Sequence, residues 1–90
     1  MRKTYNQIER IIKGFANHRR IEILELLKKQ PELSVIEISE KININFKTAS
    51  EHIRKLTIAG LIIKRWAGHA VRHKLTSRGE QVLKFCRTLE

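Results

Sequence analysis

The stretch Ser34 to Ile62, SVIEISEKININFKTASEHIRKLTIAGLI, constrains the chain more than any other. Val35, Ile38 and Ile42 recur at helical spacing, and so do Ala49, Ile53 and Leu56. Ser34 opens the first run with Glu37 three residues on, the pattern of a capping box. Between the runs lies Asn43, a residue type that tolerates the left-handed conformation of a tight bend. Asn45 is placed to cap the second helix, and Gly60 stops it. Helix, short turn, helix, with asparagine at the bend, is the pattern of a helix-turn-helix.

The flanks complete the architecture. Tyr5 to Ala16 carries Ile8, Ile11, Ile12 and Phe15 as one apolar stripe. Asn17 interrupts it and is a good N-cap for a second helix with Ile21, Ile23, Leu24, Leu26 and Leu27, which Pro31 ends. After Gly60 the period changes. LIIKRWAGHAVRHKL has two β-prone arms around Ala67-Gly68: Ile63 and Arg65 alternate with Lys64 and Trp66, and Val71, His73 and Leu75 with Arg72 and Lys74. Trp66 is expected to pack at the hairpin base. Thr76 caps a last helix with Val82, Leu83, Cys86 and Leu89 along one side. The expected fold is mainly α with a small β-hairpin, α-α-α-α-β-β-α, a winged helix-turn-helix. Ninety residues leave no room for a second domain, so residues 1–90 form one.

Charge narrows the partner. Nineteen Lys+Arg against nine Asp+Glu give a formal charge of +10, which in a folded domain implies a polyanion: nucleic acid or an anionic membrane surface. No helix pairs a basic face with exposed bulky aromatics, so a membrane surface is the weaker reading. No apolar run approaches the ~18 residues of a spanning helix. MRKTYNQIER has no apolar core of a signal peptide, and a lone Cys86 makes no internal disulfide, so the cytoplasm is the fitting compartment. His69 and His73 stand roughly 13 Å apart along a strand, too far to share an ion, and His18 and Cys86 are alone in their segments. No metal or other cofactor is expected. Paired carboxylates, a nucleophile with a base and a Gly-rich phosphate loop are all missing, so nothing points to an enzyme.

FANHRRIEILELLKK, LSVIEISEKININFKTASEHIRKLTIAGLI and WAGHAVRHKLTSRG together resemble the ArsR-type family of bacterial and archaeal repressors, over roughly residues 12–80. Ser50, His52, Leu56, Gly60 and Leu61 fall where that family's Ser-x-His-Leu…Leu…Ala-Gly-Leu pattern puts them, with Ile53 replacing Leu. The resemblance implies a homodimer paired through the first and last helices on a palindromic operator. The metal-sensing branch resembles Cys-Val-Cys at the start of its third helix, or Asp and His residues on its last. LSVIEIS and EQVLKFCRTLE carry neither.

With Ala49, Ile53 and Leu56 inward, 100° per residue puts Lys47, Glu51 and Arg54 on the outer face of helix 46–59, with Ser50 and Lys55 flanking. Thr48 and Ser50 are short enough to meet base edges in double-stranded DNA; Lys47 can reach guanine or a phosphate, and Glu51 a cytosine amino group. A merely solvated face would explain these charges, but not the turn before them or the wing behind. His52 lies beside the buried face and is expected to pack. Wing 62–75 offers Lys64, Arg65, His69, Arg72, His73 and Lys74 to the backbone or minor groove, Arg72 and His69 foremost; charge protecting an edge strand is the bland alternative.

The apolar side chains of the first and last helices exceed what one small core can hide. Tyr5, Ile8, Ile12, Phe15, Val82, Leu83, Phe85 and Leu89 are the candidate dimer interface, the alternative being a monomer that folds both helices back on itself. The sequence therefore reads as a dimeric, sequence-specific transcription regulator, most simply a repressor. Its rival is an architectural DNA-binding protein, which would put Lys and Arg where helix 46–59 mixes Thr, Ser and Glu. A protein-interaction winged helix would leave the charge unexplained.

Overall fold

The computed structural model of the chain describes residues 2–90. Its order is α1 (Tyr5–Phe15), α2 (His18–Lys29), α3 (Val35–Lys41), α4 (Phe46–Ile58), β1 (Ile62–Ala67), β2 (Ala70–Leu75) and α5 (Ser77–Arg87). This is the winged helix-turn-helix expected from the sequence.

The helix starts follow the chemistry of their caps. Asn17 Oδ1 accepts from the backbone N–H of Arg19 and Arg20 at 2.9 and 3.2 Å, and Asn45 Oδ1 from that of Thr48 at 2.8 Å. Ser34 and Glu37 close a capping box on α3, and Thr76 Oγ1 accepts from Gly79 N–H at 3.0 Å on α5. A second capping box, Thr4 with Gln7, starts α1. Asn43 takes φ 57° at the bend between α3 and α4, the left-handed conformation expected of it, and Gly60 takes φ 76° after α4.

The core is built around α2, whose Ile23, Leu24 and Leu27 are buried. Ile38 of α3, Ile53 and Leu56 of α4, Leu61, Ile62 and Leu83 of α5 close over it. Leu83 is a correction: placed by its spacing in the dimer interface, it is 3% exposed and belongs to the core. Phe15 and Val82, from the same set, are half-buried against that core. A stripe wide enough to serve two surfaces gives its innermost members to the chain's own core first.

The hairpin pairs Ile62 with Leu75, Lys64 with His73, and Arg65 with Arg72. Its turn is Gly68-His69, with Gly68 at φ 63°. Of the two β1 isoleucines, Ile62 is buried and Ile63 is 49% exposed. Two expectations are revised here. Trp66 is not packed at the base; it lies near the tip, 71% exposed. His73 is 1% exposed and so leaves the set of wing residues open to a partner. The reason is a further pairing: His73 N–H donates to Leu33 O at 2.9 Å and Glu32 N–H to His73 O at 3.0 Å, so the segment before α3 lies along β2.

Helix α1 is seated differently. None of its residues is buried, and it meets α4 where Gly14 approaches Ala59. A Cβ on Gly14 would fall 2.5 Å from that of Ala59, so no larger residue fits without separating the helices.

Candidate nucleic-acid interface

The outer face of α4 stands clear of the core. Lys47 and Thr48 are exposed, Ser50 is half-buried, and Glu51, Arg54 and Lys55 are exposed. Glu51 and Arg54 grip each other through both carboxylate oxygens, from Arg54 Nε and Nη2. That contact holds the Glu51 carboxyl below the usual carboxylate range and raises Arg54 above its ordinary value. In this state Glu51 presents a neutralised pair, and it can accept from a cytosine only by leaving Arg54.

Phe46 is a member of this surface that the sequence reading passed over. Its helical phase is close to that of Ile53, which suggests burial. Yet it is the first residue of α4, its side chain leans back beyond the end of the core, and it is 55% exposed. Ile36 of α3 is 58% exposed because its helical phase lies opposite that of buried Ile38.

The wing cations divide into two groups. Arg65 Nε donates to both oxygens of Glu32, at 2.8 and 3.1 Å. Arg72 Nη1 donates to Glu32 O at 3.1 Å and to Glu37 Oε1 at 3.2 Å. Both arginines thus fasten the wing to the start of α3. Glu37 is held below its ordinary value by its Ser34 hydrogen bonds first, with Arg72 adding to them. By contrast, Lys64, His69 and Lys74 are exposed, and among the described residues Lys64, Lys74 and Lys47 have no salt-bridge partner. The basic surface free to meet a partner is therefore lysine and histidine, beside arginines already in use.

Two histidines are held by the fold, His73 buried and His52 half-buried. His52 Nδ1 accepts from Arg20 Nε at 3.1 Å, as the packing role expected for it requires. His73 Nδ1 lies 2.9 Å from Leu33 O, and as donor there it leaves the buried Nε2 without a partner. Burial pushes the His73 imidazole below its ordinary 6.5, the Leu33 hydrogen bond opposing in part and Lys64 adding to the decrease. His52 is lowered likewise by burial and then by Arg20. A histidine held neutral in the fold takes up its proton more readily in the unfolded chain. Its contribution to stability is complete above pH 6.5 and is lost as pH falls below that value toward the lowered folded one. The urea midpoint should accordingly drop between about pH 7.5 and 5, and His73→Leu should flatten the drop. Midpoints that rise or stay level over that interval would contradict the assignment. Glu37 and Glu51, lowered in the fold, act only at more acid pH.

On the other side of the molecule, Tyr5, Ile8 and Ile12 line a shallow, largely apolar depression of about 350 Å³ on α1. Tyr5 is 84% and Ile12 48% exposed, and on α5 Phe85 and Leu89 are 56% and 71% exposed. Among the described residues no group of three or more His, Cys, Asp or Glu side chains is arranged to hold a metal ion, and no helix is long and apolar enough to cross a membrane.

The profile of the bacterial regulatory protein arsR family matches residues 17–64, from the α2 N-cap through α4 into β1. The chain belongs to the arsR family. Its fold is the winged helix-turn-helix. One relative, an uncharacterized protein of Methanocaldococcus jannaschii, is 37% identical over 60 residues; the match spans 67% of this chain and 22% of that one. The chain therefore covers about a fifth of that relative's length. Among solved structures, the homodimeric winged helix-turn-helix DNA-binding domain of a possible ArsR-family regulator from Mycobacterium bovis superposes with a TM-score of 0.82 at 28% identity, covering 93% of this chain and 78% of that one. HlyU from Vibrio cholerae gives 0.81 at 28% identity, covering 99% and 97%. Within the arsR frame the start of α3 in this chain, LSVIEIS, carries no thiol.

Proposed function

We propose that this arsR-family chain acts in the cytoplasm as a homodimeric repressor of a palindromic operator, residues 1–90 forming one winged domain. The N-terminal half of α4 enters the major groove and β1–β2 lies on the adjacent backbone or minor groove. The observation that carries the reading is the exposed outer face of α4, where Lys47, Thr48 and the Glu51–Arg54 pair lie on one polar surface flanked by a basic wing. Lys47 and Thr48 face base edges, Ser50 contributes from its half-buried position, and Lys55 and Arg54 approach phosphates. On the wing, His69 and Lys74 make the backbone contacts, while Arg65 and Arg72 set the wing's position. Dimer formation is supported by the uncovered apolar faces of α1 and α5 and by the homodimeric state of the M. bovis relative. Tyr5, Ile8, Ile12, Phe85 and Leu89 are its contact residues.

Hydroxyl-radical footprinting on a selected site tests the arrangement. Two protected segments centred about one helical turn apart are expected, because a two-fold axis presents two reading helices at that spacing. One protected segment per bound complex would overturn the dimeric reading.

A further inference from the structure

A recess of about 250 Å³ opens between α1, α2 and the C-terminal end of α4. Arg10, Lys13, Arg20 and Lys55 supply its walls, and no carboxylate lines it. Lys13 is paired outside with Glu9 at 3.1 Å, but among the described residues Arg10 and Lys55 have no salt-bridge partner. Arg20 is locked: Nε on His52 Nδ1 at 3.1 Å, Nη1 on the carbonyls of Lys13 and Gly14 at 3.2 and 3.3 Å. Its other terminal nitrogen makes no hydrogen bond among the described residues. The apolar part of the recess is aliphatic, formed where Gly14 closes on Ala59, with Ile58 at the side and 72% exposed.

Like charges gathered around one recess repel, and among the described residues no carboxylate of the recess offsets Arg10 and Lys55. An anion placed among them would make charge-assisted hydrogen bonds to the locked guanidinium of Arg20 and to Arg10 and Lys55. The aliphatic floor and the exposed Ile58 favour an anion with an apolar body over a bare one. At ~30 Å³ per water-sized group, the recess holds about eight such groups. The recess shares only Lys55 with the surface proposed to meet DNA, and its floor at Ala59 lies roughly 18 Å along the helix from Lys47 at 1.5 Å per residue.

We propose that this recess is a binding site for a small organic anion, a short aliphatic carboxylate whose head meets Arg10, Arg20 and Lys55 and whose chain lies on Gly14, Ala59 and Ile58. Such a ligand ties α1, with its uncovered apolar face, to α4. Any consequence for DNA affinity rests on the function proposed above; the binding itself does not.

The test uses the full chain without DNA and hexanoate as the probe, followed by amide chemical shifts. Saturable shifts at Gly14, Lys55 and Ala59 are expected, half-complete by about 10 mM, as modest ligand efficiency over eight heavy atoms gives. Arg10→Ala should weaken them at least ~5-fold, the loss of one charge-assisted contact. Among the described residues Arg10 makes no side-chain hydrogen bond, so the variant should keep its structure. Inorganic phosphate should bind more weakly; phosphate saturating as readily as hexanoate would overturn the organic part of the assignment. Shifts scattered over the wing lysines without saturation would overturn the site. A random duplex that displaces all bound hexanoate would make the recess a DNA-backbone contact instead. Because hexanoate is titrated before any DNA is added, failure of the DNA-reading proposal leaves the ligand result standing, and the reverse holds too.

Discussion

A palindrome selected by the protein from random sequence should outcompete random DNA by more than ~1,000-fold at near-physiological salt, the ratio typical of specific regulators. The expectation rests on the outer face of α4, where Thr48 and the mutually neutralised Glu51–Arg54 pair leave only part of the surface to bare charge. Thr48→Ala and Ser50→Ala should each cost ~1–3 kcal/mol at the selected site and relax preference locally, Ser50 the less because it is half-buried. Lys74→Ala should weaken all sequences alike and reduce the salt slope by about one, the mark of a lost phosphate contact. Arg72→Ala is a poorer probe of phosphate binding, since it also releases the wing from Glu37. A competition ratio below ~10 would favour an architectural protein over a sequence reader.

The second large effect concerns assembly. Sedimentation at micromolar concentration should give about twice the 10.6 kDa chain mass, and Ile12→Asp should return it to one chain while leaving the protein folded. Ile12 is 48% exposed, so a carboxylate there remains hydrated in the separated chain. Operator affinity should fall by at least ~100-fold with the dimer, as one small module has limited affinity for a short site. Leu83→Asp, by contrast, puts a charge into the core and should unfold the chain, a loss on the order of 4 kcal/mol or more. An Ile12→Asp protein that stays dimeric would move the interface away from α1. A wild-type chain that remains monomeric even on a selected site would remove it altogether.

What was legible in the sequence was what depends on near neighbours along the chain. The caps at Asn17, Ser34, Asn45 and Thr76 and the bend at Asn43 are local hydrogen-bond chemistry, and each appears where the residues put it. The apolar period gave the core of α2, α3 and α4 for the same reason. What was not legible depended on distant segments. The burial of His73 and the loss of Arg72 as an open wing cation both follow from the segment Glu32–Leu33 lying along β2, a pairing across 40 residues. Leu83 and Phe85 could not be told apart by period alone, since the stripe of α5 borders both the core and the open face. Trp66 projects from a two-stranded hairpin that has no second layer over its tip.

If α4 and the wing meet DNA as proposed, the ties between wing and α3 bear on which DNA is accepted. Glu37 Oε1 accepts at once from Ser34 N–H at 2.9 Å and from Arg72, while Glu32 holds Arg65 and the backbone of β2. With α4 packed on α3, these ties hold the wing at a set distance from α4. A duplex seated on both must bring its major groove and neighbouring backbone to that distance, and the bending or groove narrowing required costs less in some sequences than in others. The preferred site should then include base pairs that no side chain touches, chosen for how easily they deform.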